Sequence, residues 1–246
     1  MQAFAKTDVG RVRTGNQDYY FCTTKPIGKL NNLFLVADGM GGHNAGDFAS
    51  RFCVESVVEY IRKSTEENPA ALFRNAISET NRMLLETASK DMELAGTGTT
   101  LVAATIEDGI LYTANIGDSR LYVIGDEIRQ ITKDHSYVDK MVELGRMEKG
   151  SPEYIRQKNY ITRALGIAKA EADIFETELQ KNDKILMCSD GLTNMVSDEQ
   201  ICSLMNQRAP LEKRVTDLVE MANQNGGRDN ISVLAVEAGE KQEELC

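Results

Sequence analysis

The sequence predicts an α+β fold in which helices pack on antiparallel sheets, rather than a doubly wound parallel sheet. Three observations carry that expectation. Strand-like apolar runs cluster in the middle of the chain, amphipathic helical stripes flank them, and tight turn signals follow two of the runs. Glu107-Asp108-Gly109 and Gly125-Asp126-Glu127 are too short for the crossover of a dozen or more residues that a parallel pair needs.

Taken in order, the strand runs are Tyr19 to Thr24, Leu33 to Ala37, Thr99 to Ile106, Ile110 to Ile116, Arg120 to Ile124, Ile174 to Leu179, Lys184 to Cys188 and Ile231 to Glu237. Helical periodicity appears in three stripes: Phe48, Phe52, Val57, Tyr60, Ile61; Phe73, Ala76, Ile77, Met83, Leu84; and Leu211, Val215, Leu218, Val219, Ala222. The polar, short-patterned stretch 132–166 reads as an insertion or flap over a sheet edge. No repeat, low-complexity tract or Pro/Gly-rich linker divides the chain, so residues 1–238 read as one domain and 239–246 as a polar tail.

Charge narrows the function classes. Across 246 residues, 28 Lys+Arg stand against 38 Asp+Glu, a net charge of −10. Neutralising the phosphates of a nucleic acid needs clustered cations, so nucleic acid and anionic membrane are disfavoured as partners. No apolar run approaches the ~18 residues of a membrane span. The first eight residues lack a basic start followed by an apolar stretch, which makes the cytoplasm the expected compartment. Five scattered cysteines without CxxC spacing fit reduced thiols better than a disulfide or zinc framework.

The acids sit in an informative pattern. Leu33 to Ala37 runs into Asp38, Ile110 to Gly117 into Asp118, and Lys184 to Ser189 into Asp190. Asp18 and Asp229 stand at strand beginnings. A hairpin returning through residues 26–32 brings Asp18 beside Asp38, and an antiparallel pairing of Ile231 to Glu237 with Lys184 to Cys188 brings Asp229 to Asp190. One aspartate at a strand end is ordinarily a turn or helix N-cap. Five on converging edges repel one another unless a cation sits among them. An all-oxygen donor set favours Mg²⁺ or Mn²⁺ over Zn²⁺. The glycines of Asp38-Gly39-Met40-Gly41-Gly42-His43 mark a tight strand-to-helix turn or a close backbone approach to a ligand, to which Gly39 could offer its carbonyl.

Seven segments are together recognisable: GRVRTGNQD at 10–18, DGMGGH at 38–43, GTGTT at 96–100, IGDSR at 116–120, ITRALG at 161–166, SDGL at 189–192 and GGRDNISV at 226–233. Their order and spacing resemble the metal-dependent serine/threonine phosphatases of the PP2C family, above all its bacterial branch, over about residues 2–238. The resemblance implies a four-layer αββα sandwich of two antiparallel sheets with a dinuclear Mn²⁺/Mg²⁺ centre at one sheet edge. It implies that Asp38 bridges both metals, that Asp190 and Asp229 complete the first, that the Gly39 carbonyl holds the second, and that Asp18 reaches the second through water. A weaker third metal would lie at Asp118, sharing Asp190. Arg13 matches the phosphate-binding arginine, whose planar fork suits two phosphate oxygens.

The mechanism so implied is hydrolysis without a phosphoenzyme: water between metals roughly 3.5–4 Å apart is deprotonated and attacks phosphorus in line. Phosphorylated proteins would be the substrates, a bacterial Ser/Thr kinase the opposing enzyme, and a monomer the expected state. Met40 and Gln17 stand where eukaryotic members have a histidine, the proposed general acid, and a glutamate. Bacterial members share both changes, which leaves the proton donor open between His43 and water. His135 opens the flap and reads as structural or substrate-side.

Three other readings compete. Cys202 and Arg208 have the Cys-x5-Arg spacing of cysteine phosphatases, but the intervening residues contain no glycine to wrap backbone N–H groups around a phosphate, and they fit an amphipathic helix. A phosphoprotein-binding pseudophosphatase on the same fold would have no need of the intact acid set. A phosphatase of small phosphate esters would use the same site.

Overall fold

The computed structural model describes residues 1–42, 45–158, 160–168 and 170–237. Period-two alternation builds its centre. In the strand Leu33–Met40, Leu33, Leu35 and Ala37 point into one apolar cluster while Phe34 and Val36 point into another. A strand buried on both faces reads as a continuous apolar run, which is why this one was legible.

The elements in chain order are β1 (Gln2–Asp8), β2 (Asp18–Thr23), β3 (Leu33–Met40), α1 (Ala45–Lys63), α2 (Pro69–Ala88), β4 (Gly98–Thr99), β5 (Leu101–Glu107), β6 (Ile110–Ile116), β7 (Arg120–Ile124), β8 (Ile128–Gln130), α3 (Tyr137–Glu143), α4 (Pro152–Gln157), β9 (Asp173–Glu178), β10 (Lys184–Cys188), α5 (Asp190–Thr193), α6 (Asp198–Met205), α7 (Leu211–Gln224) and β11 (Ile231–Glu237). One sheet runs β1-β11-β10-β7-β8. The other runs β2-β3-β5-β6-β9, with β4 paired to the end of β3. Every pairing is antiparallel.

Three apolar layers fix the architecture. Phe34, Val36, Val102, Leu121, Val123, Met187 and Leu234 fill the space between the sheets. Leu35, Ala103 and Ala114 pack outward on Val54, Val57 and Ile61 of α1 and Phe73 and Ile77 of α2. Tyr122, Leu186 and Val233 pack on α6 and α7 through Ile201, Val215, Leu218 and Val219. The result is helices, sheet, sheet, helices: α+β in four layers. Truncating a fully buried leucine of these layers to alanine costs about 2–5 kcal/mol.

The turns follow their chemistry. Asp108 and Gly109 close the β5–β6 hairpin at φ +50° and +84°, the two positive values of a type I′ turn. Asn68 caps α2 by accepting from the Ala71 N–H at 2.9 Å, with Pro69 at the first helical position. The third helical stripe is buried throughout, as its spacing predicts. In the other two, Phe48, Phe52 and Tyr60 are only partly buried and Met83 is exposed, because the inner faces of α1 and α2 are taken by smaller residues such as Cys53, Val54 and Ala76.

The structure adds or shifts several elements. The run Thr99 to Ile106 is two strands parted at Thr100, whose N–H turns to the Asp38 carbonyl at 2.9 Å. β1 has no β-branched core to announce it, yet it pairs over seven residues with β11. The 132–166 stretch holds α3 and α4, capped by Ser136 and Ser151. Among the described residues no helix is long and apolar enough to cross a membrane.

Candidate metal and phosphate site

The two sheets bring their acids to one edge. Asp18 and Asp38 are direct register partners in the β2–β3 pair, as the hairpin reading expects. From the other sheet, β10 delivers Asp190 and the antiparallel start of β11 delivers Asp229. Asp118 follows the β6 strand into the same region.

Backbone hydrogen bonds hold these carboxylates in place. Asp38 donates its N–H to Thr100 Oγ1 at 2.9 Å, and its carbonyl accepts from Thr99 Oγ1 at 2.8 Å and from the Thr100 N–H at 2.9 Å. The GTGTT segment is thus a clamp on the backbone of Asp38. Gly39 is required by packing: a Cβ there would lie 2.0 Å from the Gly46 carbonyl oxygen at the start of α1.

Side-chain partners are few. Asp18 is 4% exposed, and its Oδ2 accepts from Ser189 Oγ at 2.7 Å. Asp190 Oδ2 accepts from Asn194 Nδ2 at 2.9 Å, and Lys158 of the 132–166 segment donates to Asn194 Oδ1 at 2.6 Å. Asp229 accepts from Arg13 Nη2 at 2.8 Å and from the Asn230 N–H at 2.9 Å. Asp18 Oδ1, Asp118 Oδ1 and Asp190 Oδ1 are buried with no protein partner.

Burial and crowding raise the proton affinity of the group. Asp38 is held well above the ordinary aspartate value, first by burial and then by the charges of Asp18, Asp190, Asp118 and Asp229. Burial likewise lifts Asp18, Asp118 and Asp190. Asp118, Asp190, Asn194, Lys158 and Tyr154 line a small cavity of about 170 Å³.

A hard cation fits this donor set. Buried carboxylate oxygens without partners are costly, and each would be satisfied by a bound divalent ion. Among the described residues no three acidic, His or Cys side chains already form a closed ligand cage. Ser189, Asn194 and Arg13 instead hold individual carboxylate oxygens, so the acids share an edge without converging on one point.

His43 lies outside the described residues. His135 is buried in a bonded position: its Nδ1 accepts from the Gly117 N–H at 3.1 Å, which leaves the proton on Nε2 facing Asp173 Oδ2 at 3.0 Å. Those bonds tie the start of the 132–166 segment to the turn before Asp118. Cys202 lies within α6, with its Sγ 3.9 Å from the Asp126 carbonyl oxygen.

Sequence reasoning missed Ser189, Asn194, Lys158 and Asn230. Asn194 alone left a trace, four residues after Asp190 and therefore one helical turn on.

Two facing antiparallel sheets between helical layers, with clustered acids and an arginine at one edge, define a phosphate-handling α+β enzyme of the metal-dependent type. The comparisons make this specific. The family model for protein phosphatase 2C matches residues 11–234. The serine/threonine phosphatase stp of Listeria monocytogenes is 37% identical over 247 residues, covering 96% of each chain. The structure of the Streptococcus agalactiae serine/threonine phosphatase superposes with a TM-score of 0.89 at 32% identity, covering 95% of this chain and 98% of that one. The catalytic domain of the serine/threonine protein phosphatase PstP, solved in complex with 2 manganese ions, gives a TM-score of 0.84 at 32% identity, covering 97% and 98%. The chain belongs to the protein phosphatase 2C family and is a serine/threonine phosphatase of its bacterial type.

Proposed function

We propose that residues 1–238 form one phosphatase domain that hydrolyses phosphoserine and phosphothreonine in proteins at a dinuclear Mn²⁺ or Mg²⁺ centre, opposing a Ser/Thr kinase. The observation that supports it is the gathering of Asp18, Asp38, Asp118, Asp190 and Asp229 from both sheets at one edge, with buried oxygens on three of them lacking protein partners. Asp38, Asp190, Asp229 and the Gly39 carbonyl would hold the two core ions, with Asp18 acting through water and Asp118 with Asp190 taking a weaker third. Bound there, the ions would supply Lewis acidity that ionises water near neutral pH and offsets phosphoryl charge.

The chain's own residues do the rest. Arg13, with its side chain half exposed beside Asp229, presents a planar fork to incoming phosphate oxygens. Ser189 and Asn194 fix the rotamers of Asp18 and Asp190 through the oxygens they bond. Asp139, Tyr154 and Lys158 line one cavity with Asp118 and Asp190, which supports reading 132–166 as the flap. His43 stands as a candidate proton donor. Like its family, the chain is proposed to act as a cytoplasmic monomer.

The test is turnover of p-nitrophenyl phosphate, a phosphothreonine protein and free phosphorylated metabolites, with and without Mn²⁺. Mn²⁺-dependent release from the phosphoprotein, abolished by a chelator, is the expected result. Binding of the phosphoprotein without turnover would establish the pseudophosphatase instead, and turnover of metabolites alone the small-ester enzyme.

A further inference from the structure

One buried amide governs the loop that carries Arg13. Residues 9–17 join β1 to β2, and Arg13 at their centre is exposed. Asn230 is 4% exposed at the start of β11 and directs its whole side chain at this loop. Its Nδ2 donates to the Val9 carbonyl and to the Gly15 carbonyl, both at 2.9 Å, and its Oδ1 accepts from the Gln17 N–H at 2.8 Å. Both amide hydrogens and the oxygen are thus committed to backbone groups on either side of Arg13. The pattern also settles the orientation of the amide, since a flip would set N–H against N–H and oxygen against two carbonyls.

The same residue reaches the other half of the pair. The Asn230 backbone N–H donates to Asp229 Oδ1 at 2.9 Å, while Asp229 Oδ2 accepts from Arg13 Nη2 at 2.8 Å. Asn230 therefore holds the carboxylate through its backbone and the arginine's loop through its side chain. The loop is also tied at its two ends, where the Arg11 N–H donates to the Gly227 carbonyl at 2.7 Å and the Gln17 carbonyl accepts from the Gly39 N–H at 3.0 Å, but the Asn230 side chain bonds the backbone on both sides of Arg13 and so limits the arc the guanidinium samples.

We propose that Asn230 is a positioning residue for substrate: it sets the height of Arg13 above the Asp229 edge and so prepays the ordering of the phosphate clamp. The inference rests on the reading that Arg13 binds phosphate. Asn230 touches no reacting atom in this account. Its effect belongs in substrate and phosphate affinity, not in metal affinity, because the bond to Asp229 is made by the backbone and survives a side-chain change.

The experiment compares Asn230→Ala with the nearly isosteric Asn230→Leu, which keeps the shape but removes the amide donors and acceptor without adding a charge beside Asp229, each with intact and Arg13→Ala backgrounds. Folding is checked by circular dichroism, and Mn²⁺ affinity by calorimetry. With p-nitrophenyl phosphate as substrate and inorganic phosphate as inhibitor, both Asn230 variants are expected to raise KM and the phosphate inhibition constant about tenfold, with little change in kcat or Mn²⁺ affinity. In the Arg13→Ala background the same changes should have almost no further effect. An equal KM shift in both backgrounds, a wild-type KM in a folded variant, or a loss confined to Mn²⁺ affinity and kcat would overturn the proposal. Arg13→Ala on its own tests the underlying reading: if it moves neither KM nor phosphate inhibition, the clamp itself is wrong, whatever Asn230 does.

Discussion

Ser189 Oγ donates a 2.7 Å hydrogen bond to Asp18 Oδ2, joining the end of β10 in one sheet to the start of β2 in the other. The same hydroxyl oxygen accepts from the Ser232 N–H at 3.0 Å. Both serines are fully buried, so the bonds are made where water cannot replace them. Ser189→Ala is therefore expected to destabilise the protein by about 1.5–3 kcal/mol, because it strips the buried Asp18 carboxyl of its 2.7 Å hydroxyl donor. Urea denaturation of the metal-free protein measures this. A loss within 0.5 kcal/mol of wild type would show that the two sheets are not tied through this pair.

The acid edge and the Cys-x5-Arg segment make opposite demands on mutagenesis. Asp229→Ala removes one carboxylate from the proposed core and leaves Arg13 without its partner, so turnover should fall by about 100-fold or more. Cys202→Ser touches only a thiol packed near the Asp126 carbonyl in α6 and should leave kcat/KM within twofold of wild type, with the same resistance to alkylating agents. The reverse pattern, with activity lost in the cysteine variant and kept in the aspartate variant, would replace the metal mechanism with a thiol one.

How far the site was legible depended on sequence separation. The Asp18 and Asp38 pairing could be read because a hairpin maps residue to residue and both acids stand at its open end. Asp190 and Asp229 could be placed because their strands are apolar and end abruptly. Ser189, Asn230 and Lys158 could not, since their partners are 171, 213 and 36 residues away and nothing local marks a serine, an asparagine or a lysine as a ligand for them. The same limit hid β1: Gln2-Ala3-Phe4-Ala5-Lys6 has weak strand propensity and becomes a strand because β11 offers it a ladder. The antiparallel sheets and the helices packed on them were visible in the apolar runs and stripes, whereas the four-layer order came from the family resemblance. The short α3 and α4 were not, because neither has enough turns to display a period.

Gly117 should be the least replaceable glycine of the turn before Asp118. Its φ is +110°, and a Cβ there would stand 2.5 Å from Thr100 Cγ2. Thr100 cannot retreat, since its hydroxyl serves the Asp38 N–H. Gly117→Ala is expected to destabilise by about 3 kcal/mol, combining backbone strain with a clash. Gly109→Ala is the control: φ is +84° but the space around it is open, so only strain of about 1 kcal/mol remains. Equal losses in the two variants would show that the Thr100 contact carries no weight.

The crowded carboxylates also set a pH dependence with a definite sign. Burial, joined by neighbouring charges, pushes Asp18 up to about 7, Asp118 to about 8 and Asp190 to about 6, against an ordinary value of 3.8. Between about pH 4 and pH 8 the folded metal-free protein therefore binds more protons than the unfolded chain. Stability from these groups is fully present below the unfolded value and is lost as pH rises through the folded values. Asp8 and Asp173, whose values are lowered, act in the opposite sense but chiefly below pH 4. In the presence of chelator, Asp118→Asn should gain in Tm relative to wild type as pH rises from 4.5 to 8, since the amide keeps the shape without the buried charge. Saturating Mn²⁺ should remove that gain, because a bound cation stabilises the ionised form that the empty edge resists. A Tm difference between variant and wild type that stays flat across this range would mean that Asp118 is not strained by its surroundings and that the edge does not select for cations in this way.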